Sequence, residues 1–331
     1  MRVYTSFDNL NIERACVGIG VFDGFHRGHQ QVMRAAATAA SAIDGLCVAL
    51  TFDRHPAELL LPQKAPLAIA TLSQKIEFIA TLGVVDVMVM TPFDLAFANM
   101  TPAQFVERVL VGKLNAKEVR VGADFRYGKD RSGSVMDLEV AGESYGFNVD
   151  IVHPITEGGE RISSTRVRNL VAAGDVETAR RLLGRPFTLR GVVGHGKKLG
   201  RTIGFPTANL IPSQPRQLLP EKGVYAGWAI PHNQLGGISP VSSFYPNSVA
   251  GLPVPAALSV GTNPTTDGEN DQIKIEAYLM DGFDSDIYDQ PIDLQFVERL
   301  RGEVNFPSLD ALVAQMRQDC ALATDILRAD K

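Results

Sequence analysis

Two patterns of hydrophobic positions divide the chain. Up to about residue 185, short apolar runs rich in valine alternate with helix-like stretches. Such runs predict buried parallel strands joined by helical crossovers. The predicted strands cover residues 16–22, 46–52, 84–90, 118–122 and 147–153. This half is therefore predicted to form a doubly wound parallel sheet, which binds ligands at the carboxyl ends of its strands.

Helix-boundary signals support this division. A helix-forming tract runs from residue 30 to 42, and Thr71 and Thr101 each begin a capping-box pattern. Asp175 is the predicted N-cap of a helix that ends at Gly184. Because Pro186 follows closely, the stop signal predicts a domain boundary that separates residues 1–185 from residues 186–331.

The second half has the pattern of a small antiparallel β-barrel. Its apolar or alternating runs are separated by turns rich in glycine, proline and asparagine. Residues 234–255 contain too many prolines for a central strand and are predicted to form a loop. Pro307 and Ser308 then begin a final amphipathic helix that reaches about residue 327. The predicted barrel strands cover residues 187–193, 223–230, 255–260, 272–280 and 292–296.

Composition narrows the classes of protein. Hydrophobic residues make up 45% of the 331, but no run approaches the length of a membrane span. Residues 1–10 lack a signal-peptide core, and the three cysteines have no metal-ligand spacing. The net charge of −5 is spread over both halves, which argues against a nucleic-acid or membrane surface. We expect a cytoplasmic enzyme with small-molecule substrates; the oligomeric state stays open, a homo-oligomer included.

The junction after the first predicted strand has the composition of a phosphate site. A glycine-rich turn leads into a helix N-terminus, where free N–H groups and the helix dipole attract anions. His26 and His29 add donors on either side of Gly28, so both can point at one triphosphate. An NAD-binding fingerprint is disfavoured, because Asp23 stands where glycine is required. The remaining candidates of this turn are Gly20, Phe22 and Gly24.

A second candidate phosphate contact follows the fifth predicted strand. Ser164, Thr165 and Arg168 stand at the start of a helix. Serine and threonine there are most often ordinary caps. Because two histidines follow another strand end of the same sheet, we interpret the three residues as contacts to the far side of the triphosphate.

The second half carries a glycine-rich cationic segment. The segment nearly matches a P-loop, but Lys198 stands where serine or threonine would hold magnesium. A solvated basic hairpin is the alternative to a phosphate-binding flap. Thr207 and Asn209, two residues apart on an extended segment, present oxygen atoms to one side, which suits Mg²⁺. The candidate flap residues are Gly194, Gly196, Lys197, Gly200 and Arg201.

The N-terminal motifs together resemble one family. The sequence G-V-F-D-G-F-H-R-G-H-Q at 20–30 is similar to the adenylyltransferase half of bifunctional riboflavin kinase/FAD synthetase. The I-S-S-T-x-x-R element at 162–168 and the G-x-D-F-x-F-G element at 122–128 also match, with Tyr127 replacing phenylalanine. Arg54 replaces the usual proline of T-F-x-P-H-P. The resemblance implies flavin binding by Asp124, Phe125 and Arg126.

The C-terminal motifs resemble the kinase half of the same family. G-F-P-T-A-N at 204–209 is the hallmark of riboflavin kinases, and G-T-N-P-T at 261–265 continues the match. The resemblance places the catalytic glutamate at Glu276, on a strand predicted to alternate between core and surface. Thr266 departs from the usual phenylalanine. The resemblance covers residues 17–319, which is nearly the whole chain.

The resemblance implies two activities. ATP would phosphorylate riboflavin to FMN in the C-terminal half, and ATP with FMN would give FAD and pyrophosphate in the N-terminal half, both with Mg²⁺. One alternative is an active kinase with an inactive or differently specific N-terminal half. Another is a flavin-binding protein without turnover. An aminoacyl-tRNA synthetase is disfavoured, because we find neither its K-M-S-K-S-like loop nor a basic surface.

Overall fold

The structure, a computed structural model, contains two compact units. It describes residues 1–195, 205–234, 248–262, 273–280, 283 and 286–330. The first unit comprises residues 1–68 and 72–163, and the second comprises residues 69–71 and 164–331. The backbone thus divides between Ser163 and Ser164, whereas the boundary at residue 185 stays a prediction about where each activity resides.

The first unit is built on the expected parallel sheet. Its six strands are ordered β1-β4-β3-β2-β5-β6, and every neighbouring pair is parallel. Five of these strands were predicted from the sequence; β1, only three residues long, was not. The strands are β1 (Arg2–Tyr4), β2 (Ala15–Ile19), β3 (Leu46–Phe52), β4 (Val87–Thr91), β5 (Ala116–Gly122) and β6 (Asn148–Val152).

Helices pack on this sheet. Helix α1 contacts β2, β3 and β5, and its alanine-rich buried face allows close approach to the strands. The predicted capping box at Thr101 is present, with proline at the first helical position. The helices are α1 (Arg27–Ala42), α2 (Pro56–Leu60), α3 (Leu72–Thr81), α4 (Leu95–Ala98), α5 (Pro102–Gln104, continuing as a π-helical segment, Phe105–Val111) and α6 (Val135–Tyr145). A small hairpin, β7 (Thr156–Glu157) and β8 (Glu160–Arg161), follows β6.

The second unit begins with two helices, α7 (Ser164–Ala172) and α8 (Val176–Leu183). Asp175 caps α8 and accepts a hydrogen bond from the Thr178 amide, and Gly184 ends the helix in a left-handed conformation with φ 75°, both as predicted. Helix α8 packs against the strands of this unit through its buried face, which includes Leu182 and Leu183.

The strands of the second unit form the expected closed antiparallel barrel. Within the described residues, six strands follow the order β11-β13-β14-β10-β9-β15, and the β11–β15 pairing closes the barrel. Alternate side chains of β14 are buried, as the sequence pattern predicted. The strands are β9 (Phe187–Gly194), β10 (Thr207–Pro212), β11 (Gly223–Gln234), β12 (Ser248–Ala250), β13 (Val254–Gly261), β14 (Lys274–Leu279) and β15 (Pro291–Arg301).

Several strand boundaries differ from the predictions; for example, β4 begins at Val87 instead of residue 84, and β15 ends at Arg301 instead of residue 296. The predicted loop at 234–255 is wrong at residues 248–250, because β12 pairs with the end of β11 there. Strand β12 has only three residues, which are too few to show a hydrophobic pattern in the sequence. The first predicted strand is also too long: β2 ends at Ile19, and Phe22 lies in the left-handed region with φ 53°.

A final helix, α9 (Leu309–Ala329), packs on the barrel. Ser308 is its N-cap, as predicted, and accepts a hydrogen bond from the Ala311 amide. Ala323 and Leu327 of α9 join a buried cluster with Ala226, Met280 and Val297 of the barrel. In the described part of the chain, no helix is both long and apolar enough to cross a membrane.

Candidate functional site

The order of the parallel strands creates a crevice in the first unit. The chain proceeds from β2 through β3 to β4 on one side and then returns to place β5 on the other side of β2. At such a switch point the connections leave in opposite directions, which opens a binding crevice at the carboxyl ends of the strands. The turn after β2 and the segment after β5 border this crevice. Both segments carry motifs that the sequence predicts to bind phosphate or flavin.

The turn after β2 has an unusual backbone. Phe22, Gly24 and Phe25 all have positive φ values, 53°, 72° and 39°. Large side chains avoid this region, so the surrounding packing must hold the turn in place. Both phenylalanine rings are buried and meet edge to face, with centroids 5.9 Å apart. This packing turns the chain from β2 into α1 within a few residues.

His26 is the N-cap of α1. Its Nδ1 accepts a hydrogen bond of 3.3 Å from the backbone N–H of His29. A backbone N–H can only donate, so Nδ1 carries no proton and the neutral ring is protonated at Nε2. The ring of His29 stacks on that of His26 with centroids 3.6 Å apart. The structure thus brings both predicted histidines together at the helix N-terminus.

The glycines predicted in this turn allow the backbone to lie close to the neighbouring aromatic rings. A Cβ atom at Gly28 would lie 3.1 Å from Cε1 of His26, so glycine leaves room for the capping ring. At Gly20 a Cβ would lie 2.6 Å from the ring of Phe22. Asp23 and Gly24 lie in a short 3-10 turn between them.

The segment after β5 contains the predicted flavin contacts. Asp124 and Arg126 are exposed, and the Phe125 ring stacks on Tyr127 with centroids 5.8 Å apart. A 2.7 Å ion pair joins Asp124 to Arg161. Burial alone would raise the pKa of Asp124, but the hydrogen bond and charge of Arg161 outweigh it and lower the pKa. Asp124 is therefore held as a carboxylate.

An open groove of about 380 Å³ lies at the ends of β3 and β4. Asp53, directly after β3, anchors one wall by accepting a 2.9 Å hydrogen bond from the Phe93 amide. His55 caps α2 through Nδ1, which accepts from the Ala57 amide. The groove has a largely apolar lining with one cation, formed by Arg54, Leu59, Pro92, Phe93, Asp94, Leu95 and Ala96.

The third group of predicted phosphate contacts lies in the second unit. Ser164, Thr165 and Arg168 occupy the first five residues of α7. Ser164 and Arg168 are four residues apart and share one helix face. Val167 and Val171 form the buried face instead. A common site of these residues with His26 and His29 stays a prediction.

The barrel register brings the predicted kinase residues together. Asn209 of β10 pairs directly with Glu276 of β14, and Thr207 pairs with Tyr278. Side chains of directly paired residues share a face, with Cβ atoms about 5 Å apart. Because the alternating neighbours Ala208, Leu210, Ile275 and Ala277 belong to the other face, Thr207, Asn209 and Glu276 lie together on the outer face of the barrel.

The same register adds a residue that sequence analysis missed. Ser259 of β13 pairs with Glu276 from the side opposite to Asn209. Its hydroxyl therefore belongs to the same row of oxygen-bearing side chains. A lone serine in an apolar strand gives no sequence signal, because only strand pairing reveals its neighbours. On β9, Gly194 is opposite Asn209 and leaves this row without a side chain at its far end.

Part of the predicted kinase site lies outside the described residues. Gly196, Lys197, Gly200 and Arg201 of the cationic flap belong to this part, as does Thr266. The described end of the second motif is anchored, because the Thr262 amide donates a 2.7 Å hydrogen bond to Glu303.

Magnesium fits the barrel residues. Among the described residues, no group of three histidine, cysteine, aspartate or glutamate side chains could form a complete protein cage. Mg²⁺ commonly takes only one or two protein oxygens, with phosphate and water oxygens as the other ligands. The hydroxyl of Thr207 and the amide oxygen of Asn209, on one face of β10, suit that kind of site.

Family models divide the chain into two enzyme classes. The model described as FAD synthetase matches residues 8–166, and the model described as riboflavin kinase matches residues 183–327. Strands β2 to β6 of the parallel sheet and the histidine-capped helix fall in the first match, and the barrel falls in the second. By class, the chain combines a nucleotidyltransferase with a kinase.

Full-length relatives carry both classes in one chain. The curated bifunctional riboflavin kinase/FMN adenylyltransferase of Escherichia coli K12 is 37% identical over 96% of both chains. That of Haemophilus influenzae is 34% identical over 98% of both. A solved structure described as a macrolide-efflux protein from Streptococcus pneumoniae has a TM-score of 0.80 and 30% identity, and it covers 97% of this chain.

This chain belongs to the bifunctional riboflavin kinase/FMN adenylyltransferase family. The protein is a transferase that phosphorylates riboflavin to FMN and adenylylates FMN to FAD. ATP is the second substrate of both reactions.

Proposed function

We propose that residues 1–185 catalyse adenylyl transfer to FMN and that residues 186–331 catalyse phosphorylation of riboflavin. The pairing of Asn209 with Glu276 on the outer face of the barrel carries the kinase assignment. The histidine-capped N-terminus of α1 at the switch point carries the adenylyltransferase assignment.

In the kinase reaction, Glu276 orients the ribityl hydroxyl of riboflavin and accepts its proton. The hydroxyl oxygen then bonds to the γ-phosphorus of ATP, the bond from that phosphorus to the bridging oxygen breaks, and ADP leaves. Thr207 and Asn209 would hold Mg²⁺, which neutralises charge on the phosphates when bound. Gly194, Gly196, Lys197, Gly200 and Arg201 supply amide and cationic contacts to ATP.

In the adenylyl transfer, an oxygen of the FMN phosphate bonds to the α-phosphorus of ATP and pyrophosphate leaves. No covalent enzyme intermediate is needed, so the protein's task is orientation and charge stabilisation. The Nε2–H of His26 and the ring of His29 donate to the phosphates. The helix N-terminus and the turn of Gly20, Phe22, Asp23, Gly24 and Gly28 bring the backbone close to them.

The other side of the triphosphate is bound by Ser164, Thr165 and Arg168, with hydroxyl and guanidinium donors. Asp124, Phe125 and Arg126 bind the flavin. The Phe125 ring, stacked on Tyr127, offers an apolar face to an isoalloxazine ring, and Arg126 offers a charge to its phosphate.

The setting we propose is cytoplasmic, with no nucleic-acid or membrane partner. The lack of a basic excess in either half and the cysteine spacing support this proposal. A homo-oligomer is compatible with it, and the reaction chemistry does not depend on one.

A single assay separates the two proposed sites. Riboflavin and MgATP are supplied, and FMN and FAD are separated by chromatography. Glu276→Gln should lower FMN formation about 10²- to 10⁴-fold, because glutamine keeps the shape but cannot take the proton. The same variant should convert supplied FMN to FAD at the wild-type rate. Glu298→Gln, on another barrel strand, is the matched control and should retain both activities.

His29→Ala should give the opposite result. Loss of a donor to the phosphates typically lowers the rate about 10²- to 10³-fold, here only for FAD formation. Wild-type FAD synthesis by this variant would remove His29 from the site. FMN formation within a few-fold of wild type by Glu276→Gln would likewise exclude Glu276 as the base.

A further inference from the structure

Lys75 is a buried cation near the candidate adenylyltransferase site. It lies on α3, one turn from Ile79 and Leu72, on the face that packs into the unit. Only 7% of the surface of Lys75 is exposed to solvent. The ammonium group donates hydrogen bonds to the carbonyl oxygens of Val21, at 3.2 Å, and Phe52, at 2.8 Å. Lysine is seldom this buried unless its charge is compensated.

The two carbonyls belong to neighbouring strand ends. Phe52 is the last residue of β3, and Val21 follows β2 directly before the left-handed turn at Phe22. The Val21 oxygen also accepts a 3.0 Å hydrogen bond from Thr51. Lys75 therefore ties the end of β3 to the peptide that begins the turn.

The turn links the position of the Val21 peptide to the positions of His26 and His29. The ring of Phe22 meets the ring of His29 edge to face, with centroids 5.4 Å apart, and His29 stacks on His26. A displacement of Val21 would thus move Phe22 and, through it, the His29 ring and the His26 ring stacked on it. Because Lys75 is almost fully buried and uses its ammonium group on two carbonyls, it acts on the reaction through the backbone.

Acidic groups face Lys75 from three elements. Asp23 lies in the turn after β2, Asp53 follows β3, and Glu58 lies on α2. Burial lowers the pKa of Lys75 to about 8, and the three carboxylates oppose that shift. Its charge is therefore retained at neutral pH and lost just above it.

We propose that Lys75 is a positioning residue for adenylyl transfer: it fixes the turn that presents His26 and His29 at the crevice. This inference rests on the proposed role of the two histidines. An aliphatic residue could fill the same space without a buried charge, so packing alone does not explain the lysine.

The test compares Lys75→Met with Lys75→Arg in the full-length protein. In Lys75→Met, the methionine fills the space but leaves the Phe52 and Val21 carbonyls without the ammonium group. We expect kcat for conversion of FMN to FAD to fall about 100-fold, which a misplacement of about 1 Å can produce. Riboflavin phosphorylation in the same sample should not change. Lys117→Met, an exposed lysine at the opposite end of β5, is the matched control and should retain both activities.

The pH profile distinguishes positioning by the charge from simple packing. In the wild type, FAD formation should decline as pH rises through about 8, where Lys75 loses its proton. Lys75→Arg should partly restore the rate and abolish this decline, because a guanidinium stays charged in that range. The wild-type profile alone provides a test if Lys75→Met does not fold.

Two outcomes overturn the proposal. One is a pH profile that does not fit titration of Lys75: either the wild type has no decline near pH 8, or the decline persists unchanged in Lys75→Arg. The other is wild-type kcat in a folded Lys75→Met. If His29→Ala were active while Lys75→Met lost FAD formation, the histidine role would fail but the positioning of the strand ends by Lys75 would stand.

Discussion

His26 serves the helix and the candidate site with different nitrogen atoms. Its Nδ1 caps α1, and its Nε2–H is the group that we propose as a donor to the phosphates. Asparagine could replace the capping function, since it is a good N-cap, but its shorter amide would not reach as far as Nε2. The proposed donor role of Nε2 would therefore explain a histidine here, which helix stability alone does not.

Asn209 offers a test of the proposed magnesium site. Asn209→Ala should raise the Mg²⁺ concentration needed for half-maximal riboflavin phosphorylation, because an amide oxygen of the proposed metal site on β10 is lost. A loss of one such contact typically costs about 1–3 kcal/mol, or about five- to 150-fold in apparent affinity. The measurement is a Mg²⁺ titration of initial rates at fixed ATP.

Ile211→Ala provides the control for this titration. Ile211 lies two residues further along the same face and is exposed. If Asn209→Ala and Ile211→Ala had the same Mg²⁺ dependence as the wild type, Asn209 would have no part in metal binding.

At the scale of single elements, the first turn of α1 combines a cap, a ring stack and a close glycine. Alanine at 28 would place its Cβ atom 3.1 Å from Cε1 and 3.2 Å from Nδ1 of His26. The ring cannot retreat without weakening either its cap to the His29 amide or its stack on the His29 ring.

We therefore expect Gly28→Ala to lower FAD formation without lowering thermal stability. Alanine favours a helix over glycine by about 0.5–1 kcal/mol, which offsets the crowding of the ring. Steady-state rates of FAD formation together with a thermal melt measure the two effects. Thr38→Ala, at an exposed position nearly three turns later in α1, is the control for helix propensity.

An equally active Gly28→Ala would mean that the His26 ring moves freely. The exact position of the capping ring would then be irrelevant to adenylyl transfer, and the proposed donor role of Nε2 would lose its geometric basis.

The elements differ in how far the sequence could predict them. Long apolar runs such as β3 were predicted to the residue, because both faces of a central parallel strand are buried. Strands β1 and β12 were missed, because three residues are too few for a period, and β10 was predicted only as an extended segment around Thr207 and Asn209. The register of Asn209 with Glu276 could not be read from either strand, since pairing depends on the closure of the barrel.

Lys75 illustrates the same limit at the candidate site. It was not selected from the sequence, although a lysine among Leu72, Ile76 and Ile79 interrupts the apolar face of α3. Its carbonyl partners lie 54 and 23 positions away in the chain, so only the folded structure identifies them. Motifs identified the residues that we propose contact the ligand, and packing identified the residue that we propose supports them.

At the scale of the whole molecule, the backbone division and the predicted activity boundary differ by two helices. Helices α7 and α8 belong to the barrel unit, where the Glu221 amide donates to the carbonyl of Val171 and a Cβ at Gly174 would meet Arg299. Sequence signals detected where the helices stop, but the packing of α7 and α8 depends on contacts made later in the chain.

Two fragments measure how much α7 and α8 contribute to the stability of the barrel. A fragment of residues 186–331 should phosphorylate riboflavin but melt at a lower temperature than a fragment of residues 164–331, because it lacks the buried α8 residues Leu182 and Leu183. Each buried leucine contributes about 1.5–3 kcal/mol, so the difference should amount to several degrees. Circular dichroism gives the melts and FMN formation gives the activity.

Failure of both folded fragments to phosphorylate riboflavin would contradict the assignment of the kinase to residues 186–331. Equal melting temperatures would instead show that α7 and α8 add nothing to the stability of the barrel.

The direction of the strands in the parallel sheet also has a practical use. All six strands end at the edge that carries the histidine turn, so the turns that enter β4 and β6 lie at the far edge. Gly83 and Gly146, in those turns, are exposed, and each has a φ of 76°. A Cβ atom at Gly146 would meet nothing within 4 Å. A side chain is nevertheless strained at that φ, so the exposed neighbours Thr81 and Ser144 are the suitable attachment points beside these turns. A fluorescent label or a surface tether there leaves the proposed substrate entrance unobstructed.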